Sequence, residues 1–201
     1  MKLLCLGDSN TYGYDPRNYL GGRYPAEIRW TTRLGEHTGW EAVNEGENGR
    51  EIPHTPAQFR EIAALFTKSG PADGLVILLG SNDLLQIPRA TAEQVTDRMA
   101  HFLTWLLDRG QRARAAVLVA PPAMQPGPWV SDEQQIVQSA RLGGCYQALA
   151  QRLGMGFADA GAWGIPLSFD GVHFSPEGHR IFAARLAEVL ALSFPQDAMG
   201  R

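Results

Sequence analysis

Short apolar runs that break abruptly into small polar residues recur along this chain, and stretches with a helical repeat separate them. Leu3-Leu4-Cys5-Leu6 is the first such run; it predicts a buried strand ending in the tight loop Gly7-Asp8-Ser9-Asn10. Residues 12–29 follow with turn signals at Gly13 to Pro16, Gly21-Gly22 and Tyr24-Pro25. A loop that long in a compact domain is usually functional or disordered, and its place just past Ser9 favours a lip over a site. Trp30 to Leu34 starts a helical pattern that runs out near Gly39, and Trp40 to Asn44 is a short strand leading into Glu45 to Arg50. A helix is predicted over 56–67, with Phe59, Ile62, Ala63 and Phe66 on one face, stopped by Gly70-Pro71.

Gly74 to Leu79 is apolar throughout, the pattern of a central parallel strand covered on both faces. It too ends in small polar residues, Gly80-Ser81-Asn82-Asp83. A helix over 92–108 with the stripe Val95, Met99, Phe102, Leu103 and Leu106 comes next, then a strand over 115–120 that stops at Pro121-Pro122. Ser131-Asp132-Glu133 opens a helix through Val137, Leu142, Tyr146 and Leu149 to Leu153, and Phe157 to Asp159 is the last strand. Ser175-Pro176-Glu177 starts the final helix with a cap, a proline and a first-turn acid. His179 within it reads as an exposed helical residue, and the tail over 195–201 as frayed. Five strands alternating with helices predict an α/β protein, a three-layer α/β/α sandwich on a flavodoxin-like five-stranded parallel sheet. Neither linker nor repeat divides residues 1–201, so a single domain is expected.

Composition narrows the class without changing the fold. At 201 residues, 44% hydrophobic and 19% charged, the chain reads as globular. A net charge of -3 gives no broad attraction to phosphate backbones, so no nucleic-acid partner is expected. Cys5 and Cys145 lack a CxxC or a His/Cys cluster and read as packed thiols rather than a disulfide or zinc site. Without a leader pattern or a membrane-length apolar stretch, the expectation is a soluble, cytoplasmic protein with no membrane partner.

The chemistry gathers at the carboxyl ends of the strands. In a flavodoxin-like order the ligand crevice lies where loops from strands one and three face each other, which brings Ser9 and Asn82 together with Gly49 alongside. Ser9 there is either a nucleophile or the cap of a following helix. The loop Glu45 to Arg50 lacks the GxGxxG or GxxxxGK[ST] spacing of a phosphate cradle. Asp170 and His173, three apart on one loop, can form an acid–imidazole pair, two ligands of an incomplete metal set, or the brace of a turn. Among the aromatic residues near these loops, Tyr12 and Trp129 are candidates to line a substrate; Tyr14, Tyr19, Tyr24 and Trp30 serve equally well as packing.

These residues resemble the SGNH or GDSL hydrolase superfamily along nearly the whole chain. Its first block matches Gly7-Asp8-Ser9, its Asn-x-Gly-x-x-Gly block matches Asn44 to Gly49, its Gly-x-Asn-Asp block matches Gly80 to Asp83, and its Asp-x-x-His block matches Asp170 and His173. The resemblance implies Ser9 as nucleophile, His173 and Asp170 as its partners, and the Ser9 and Gly49 amides with the Asn82 side chain as an oxyanion hole. Asn10 departs from the leucine that often follows the serine, a change that concerns loop packing more than chemistry. Arg29-Trp30-Thr31, Glu45-Gly46 with Arg50, and Pro121-Pro122 with Pro128-Trp129 look like the arylesterase and acyltransferase subgroup, which implies a homo-oligomer. The expected substrate is a small ester, cleaved through an acyl-enzyme with no cofactor or metal, with acyl transfer to alcohols as a further activity. A carbohydrate deacetylase, a lysophospholipase or thioesterase, and a flavodoxin-like nucleotide or flavin binding module are the alternatives.

Overall fold

The strand runs read from the sequence assemble into one sheet in the computed structural model, which describes residues 1–18, 20, 22–111 and 115–194. Tyr19, Gly21 and the tail expected to fray lie outside the described residues. The strands β1 (Lys2–Gly7), β2 (Glu41–Gly46), β3 (Gly74–Leu78), β4 (Ala116–Ala120) and β5 (Gly156–Asp159) are parallel throughout, in the order β2-β1-β3-β4-β5. Parallel neighbours need crossovers, and helices supply them on both faces.

The alternation along each strand divides the core in two. Leu4, Leu6, Leu75, Ile77 and Leu118 pack in one cluster with residues of α3 (Pro56–Ser69), α5 (Ala92–Asp108) and α6 (Glu133–Leu153). Leu3, Cys5, Val76, Leu78, Val117 and Val119 pack in the other with α2 (Trp30–Thr38) and α7 (Pro176–Ser193). Burial on both faces is why β1, β3 and β4 read as unbroken apolar runs. The helices start where capping chemistry satisfies their free N–H groups: Thr55, Thr91 and Asp132 each form a capping box, and the Ser175 side chain accepts from the Gly178 N–H.

Three expectations change. Where the polar breaks after β1 and β3 predicted loops, the chain turns at once into short helices, α1 (Ser9–Tyr12) and α4 (Ser81–Gln86). On α6 Val137 is 48% exposed, whereas Gln138 and Ser139 are buried because their oxygens accept the Ala92 and Met124 N–H groups, both at 2.9 Å. On α3 Ala63 faces solvent rather than the sheet.

Register sets the stage for the site. Gly7 pairs with Gly46 on one side and Leu78 on the other, so β1, β2 and β3 end level. The segments leaving them therefore share one edge. Gly46 is required there: a Cβ would stand 2.0 Å from the Tyr12 backbone nitrogen, so only glycine lets α1 lie against the end of β2.

Candidate active site

Ser9 is the first residue of α1, and the helix is held by Asp8, whose side chain caps it by accepting the Asn10 N–H at 2.9 Å. Burial pushes the Asp8 carboxyl up to about 6 against the pull of that hydrogen bond and of the nearby His173 and Arg50 charges. The Ser9 hydroxyl lies 2.9 Å from His173 Nε2, and His173 Nδ1 lies 2.6 Å from Asp170 Oδ2. The three side chains are buried, with Asp170 and His173 at 0% and 2% exposure. The other Asp170 oxygen accepts the Val172 and His173 N–H groups, each at 3.0 Å. Burial alone would raise this carboxyl, yet the His173 ring and those two N–H groups outweigh it and hold Asp170 below the usual carboxylate range. Among the described residues no group of three or more Cys, His, Asp or Glu is placed to hold a metal ion.

The loop after β2 is tied to the same strand end. Arg50 donates to the Gly7 carbonyl at 2.9 Å, to the Glu45 carbonyl, and to the Glu47 carboxylate at 2.6 Å. Gly49 in that loop takes φ +76°, a left-handed conformation that favours glycine. From α4 Asn82 reaches over and donates to the Arg50 carbonyl at 3.0 Å. Asp83, fully buried, accepts the Ile52 N–H at 3.0 Å and pairs with Arg98 at 3.1 Å, which fixes the far end of the same loop. Ser9, Gly49 and Asn82 thus sit on three segments at one edge, with the loop that carries Gly49 bonded to the other two.

Aromatic rings flank His173. The Tyr14 ring centroid lies 4.6 Å from the imidazole and the Trp129 ring 4.9 Å away, edge to face, with Trp129 51% exposed. Tyr12 instead carries the Arg23 guanidinium over its ring at 4.5 Å. Tyr14 and Arg23, both in the stretch expected to form a lip, pair in an isolated antiparallel bridge. The sequence does not single out Asp8, Arg50 and Asp83 as site residues, although each lies in or beside a matched block, and it leaves Tyr14, which no block covers, open between lining and packing.

His179 corrects an expectation. It is 1% exposed, not a surface residue, and packs between Tyr24 and Phe174. Its Nδ1 accepts the Trp30 N–H at 3.3 Å, which leaves the proton on Nε2, an atom without a hydrogen-bond partner among the described residues. Burial, then the Arg33 and Arg29 charges, push its pKa down to about 3.

A doubly wound parallel sheet with a buried serine, histidine and aspartate relayed at its carboxyl edge defines a hydrolase of the SGNH type. More narrowly, the chain belongs to the GDSL-like lipase/acylhydrolase family, whose pattern matches residues 5–181. Solved structures agree over nearly all of its length. The M. smegmatis aryl esterase is 26% identical with a TM-score of 0.82, covering 96% of this chain and 99% of its own. A putative arylesterase from Agrobacterium tumefaciens is 29% identical with a TM-score of 0.83, covering 96% of this chain and 100% of its own. A carbohydrate acetylesterase family member from Sinorhizobium meliloti is 28% identical with a TM-score of 0.83, covering 96% and 99%. A search of curated proteins finds no match to the chain.

Proposed function

We propose that the protein is a serine esterase that cleaves small carboxylic esters with short acyl groups through an acyl-enzyme. The observation that carries this reading is the continuous relay from Ser9 through His173 to Asp170, at 2.9 Å and 2.6 Å. His173 Nε2 takes the Ser9 proton as Oγ attacks the ester carbonyl. Asp170 holds the imidazole in the matching tautomer and stabilises the cation that forms. The Ser9 and Gly49 N–H groups and the second N–H of Asn82 meet the developing oxyanion. The cation then protonates the leaving alcohol, and water, activated by the same nitrogen, releases the acid. An alcohol in place of water gives acyl transfer.

We take Tyr14 and Trp129, whose rings flank His173, to wall the side from which the alcohol leaves. That favours a planar or ring-shaped alcohol, in keeping with the aryl and carbohydrate esters named for the similar structures. We take the protein to act on free small molecules inside the cell, as a homo-oligomer.

The test is p-nitrophenyl acetate turnover together with labelling by a fluorophosphonate. Ser9→Ala is expected to lose both. Labelling that persists at another residue overturns the Ser9 role.

A further inference from the structure

The residue after the nucleophile makes a two-point clasp on the segment that carries His173. The Asn10 side chain donates from Nδ2 to the Val172 carbonyl at 3.2 Å and accepts the Phe174 N–H on Oδ1 at 2.8 Å. The two peptide groups it holds lie on either side of His173, and Asn10 itself is only 4% exposed. The backbone N–H and C=O leave no ambiguity about which end of the amide donates. On the main chain, the Asn10 N–H is bound by Asp8 at 2.9 Å and its carbonyl accepts the Trp30 indole N–H at 3.1 Å. The clasp is therefore anchored at its own end as well.

We infer that Asn10 is the positioning residue that sets the Ser9–His173 separation, an inference that rests on the serine-esterase reading above. Asp170 acts differently: it is bound to the imidazole and to N–H groups of its own loop, so it fixes the ring's orientation within that loop. Nothing in that pairing ties the loop to α1. Asn10 supplies the tie, because Ser9 and Asn10 are consecutive in one helix and Val172 to Phe174 are consecutive in the other segment. At neutral pH a carboxamide of this length offers the donor and the acceptor that these two peptide groups require. Leucine offers neither, and an ionised aspartate sets a negative oxygen against the Val172 carbonyl. Displacing a reacting group by about 1 Å can cost 10²-fold in rate.

Asn10→Leu and Asn10→Asp test the inference, with kcat and KM for p-nitrophenyl acetate measured on protein whose near-ultraviolet circular dichroism matches the parent. Asn10→Leu is expected to lower kcat about 10²-fold and leave KM within a few-fold, since proton transfer and not binding is disturbed. Asn10→Asp is expected to be comparably impaired at pH 8. Its kcat relative to the parent at the same pH rises as acidification to pH 5 protonates the carboxyl, which can then donate to Val172 and accept from Phe174. Asn10→Leu has no proton to gain, so its ratio stays flat. A role in folding alone would lower yield and melting temperature without producing that divergence. Parent-like kcat in folded Asn10→Leu, or equal pH dependence of the two ratios, overturns the inference. Failure of both variants to fold, even at pH 5, also overturns it, by making Asn10 a residue of architecture. Ser9→Ala separates the two levels: if it retains turnover, the esterase reading itself fails, whereas an inert Ser9→Ala beside a fully active Asn10→Leu removes only the role given to Asn10.

Discussion

Asn82 has two amide hydrogens and the Arg50 carbonyl uses one, so in the proposed mechanism the other would meet the oxyanion. Losing one such donor costs about 10²–10³ in kcat, so Asn82→Ala should fall by that factor with near-parent folding, as read from initial rates and a melting curve. An unchanged kcat would remove Asn82 from the oxyanion hole. His179 is expected to affect stability instead of rate. In the folded protein it stays neutral down to about pH 3, whereas in the unfolded chain a histidine titrates near about 6.5. Between those values the unfolded state binds the extra proton, so the stability from keeping His179 neutral is complete above about pH 6.5 and is lost as pH falls toward 3. Urea midpoints at pH 7.5 and 4.5 should drop in the parent and drop less in His179→Phe. Asp8 has the opposite sense, since its carboxyl is raised to about 6 and the folded state gains as it protonates. The sequence does carry a signal against the exposed reading of His179. His179 shares a helical stripe with Phe182, Ala183, Leu186 and Leu190, and that spacing marks it as inward-facing. Its partners Tyr24 and Trp30 come from remote sequence, and no local pattern reveals them.

Among the elements, the strands and long helices were readable because burial imposes a period on them, and the capping residues marked their starts. α1 and α4 were not, because four and six residues are too few to show a helical repeat. Their existence follows from tertiary circumstance: Asp8 caps the first, and Gly46 leaves room for it. The loop pairing around Asp170 was equally hidden. The Gln125 N–H donates to the Gly171 carbonyl at 2.9 Å, and a Cβ on Gly127 would stand 2.3 Å from the Asp170 carbonyl carbon. Gly127→Ala must therefore push the Asp170 loop aside. Overpacking of this kind costs about 1–3 kcal/mol, and we expect a matching fall in the urea midpoint with kcat reduced more than KM is raised. A variant with parent kcat would mean that the loop yields without moving Asp170.

Across the whole molecule, the four sequence blocks marked residues that the fold brings to one edge of the sheet, while the rings beside His173 came from segments that no block covers. Across a series of p-nitrophenyl acetate, butyrate and octanoate, the short-acyl reading expects kcat/KM to be highest for acetate; a rise toward octanoate would contradict it. The relay itself joins residues 164 positions apart. If Ser9 and His173 act as proposed, the nucleophile is synthesised long before its base, and every intermediate that lacks the segment just ahead of α7 carries an unactivated alcohol. The hydroxyl would then become reactive only when that segment docks, so that synthesis would yield a chemically quiet protein until its architecture is nearly complete.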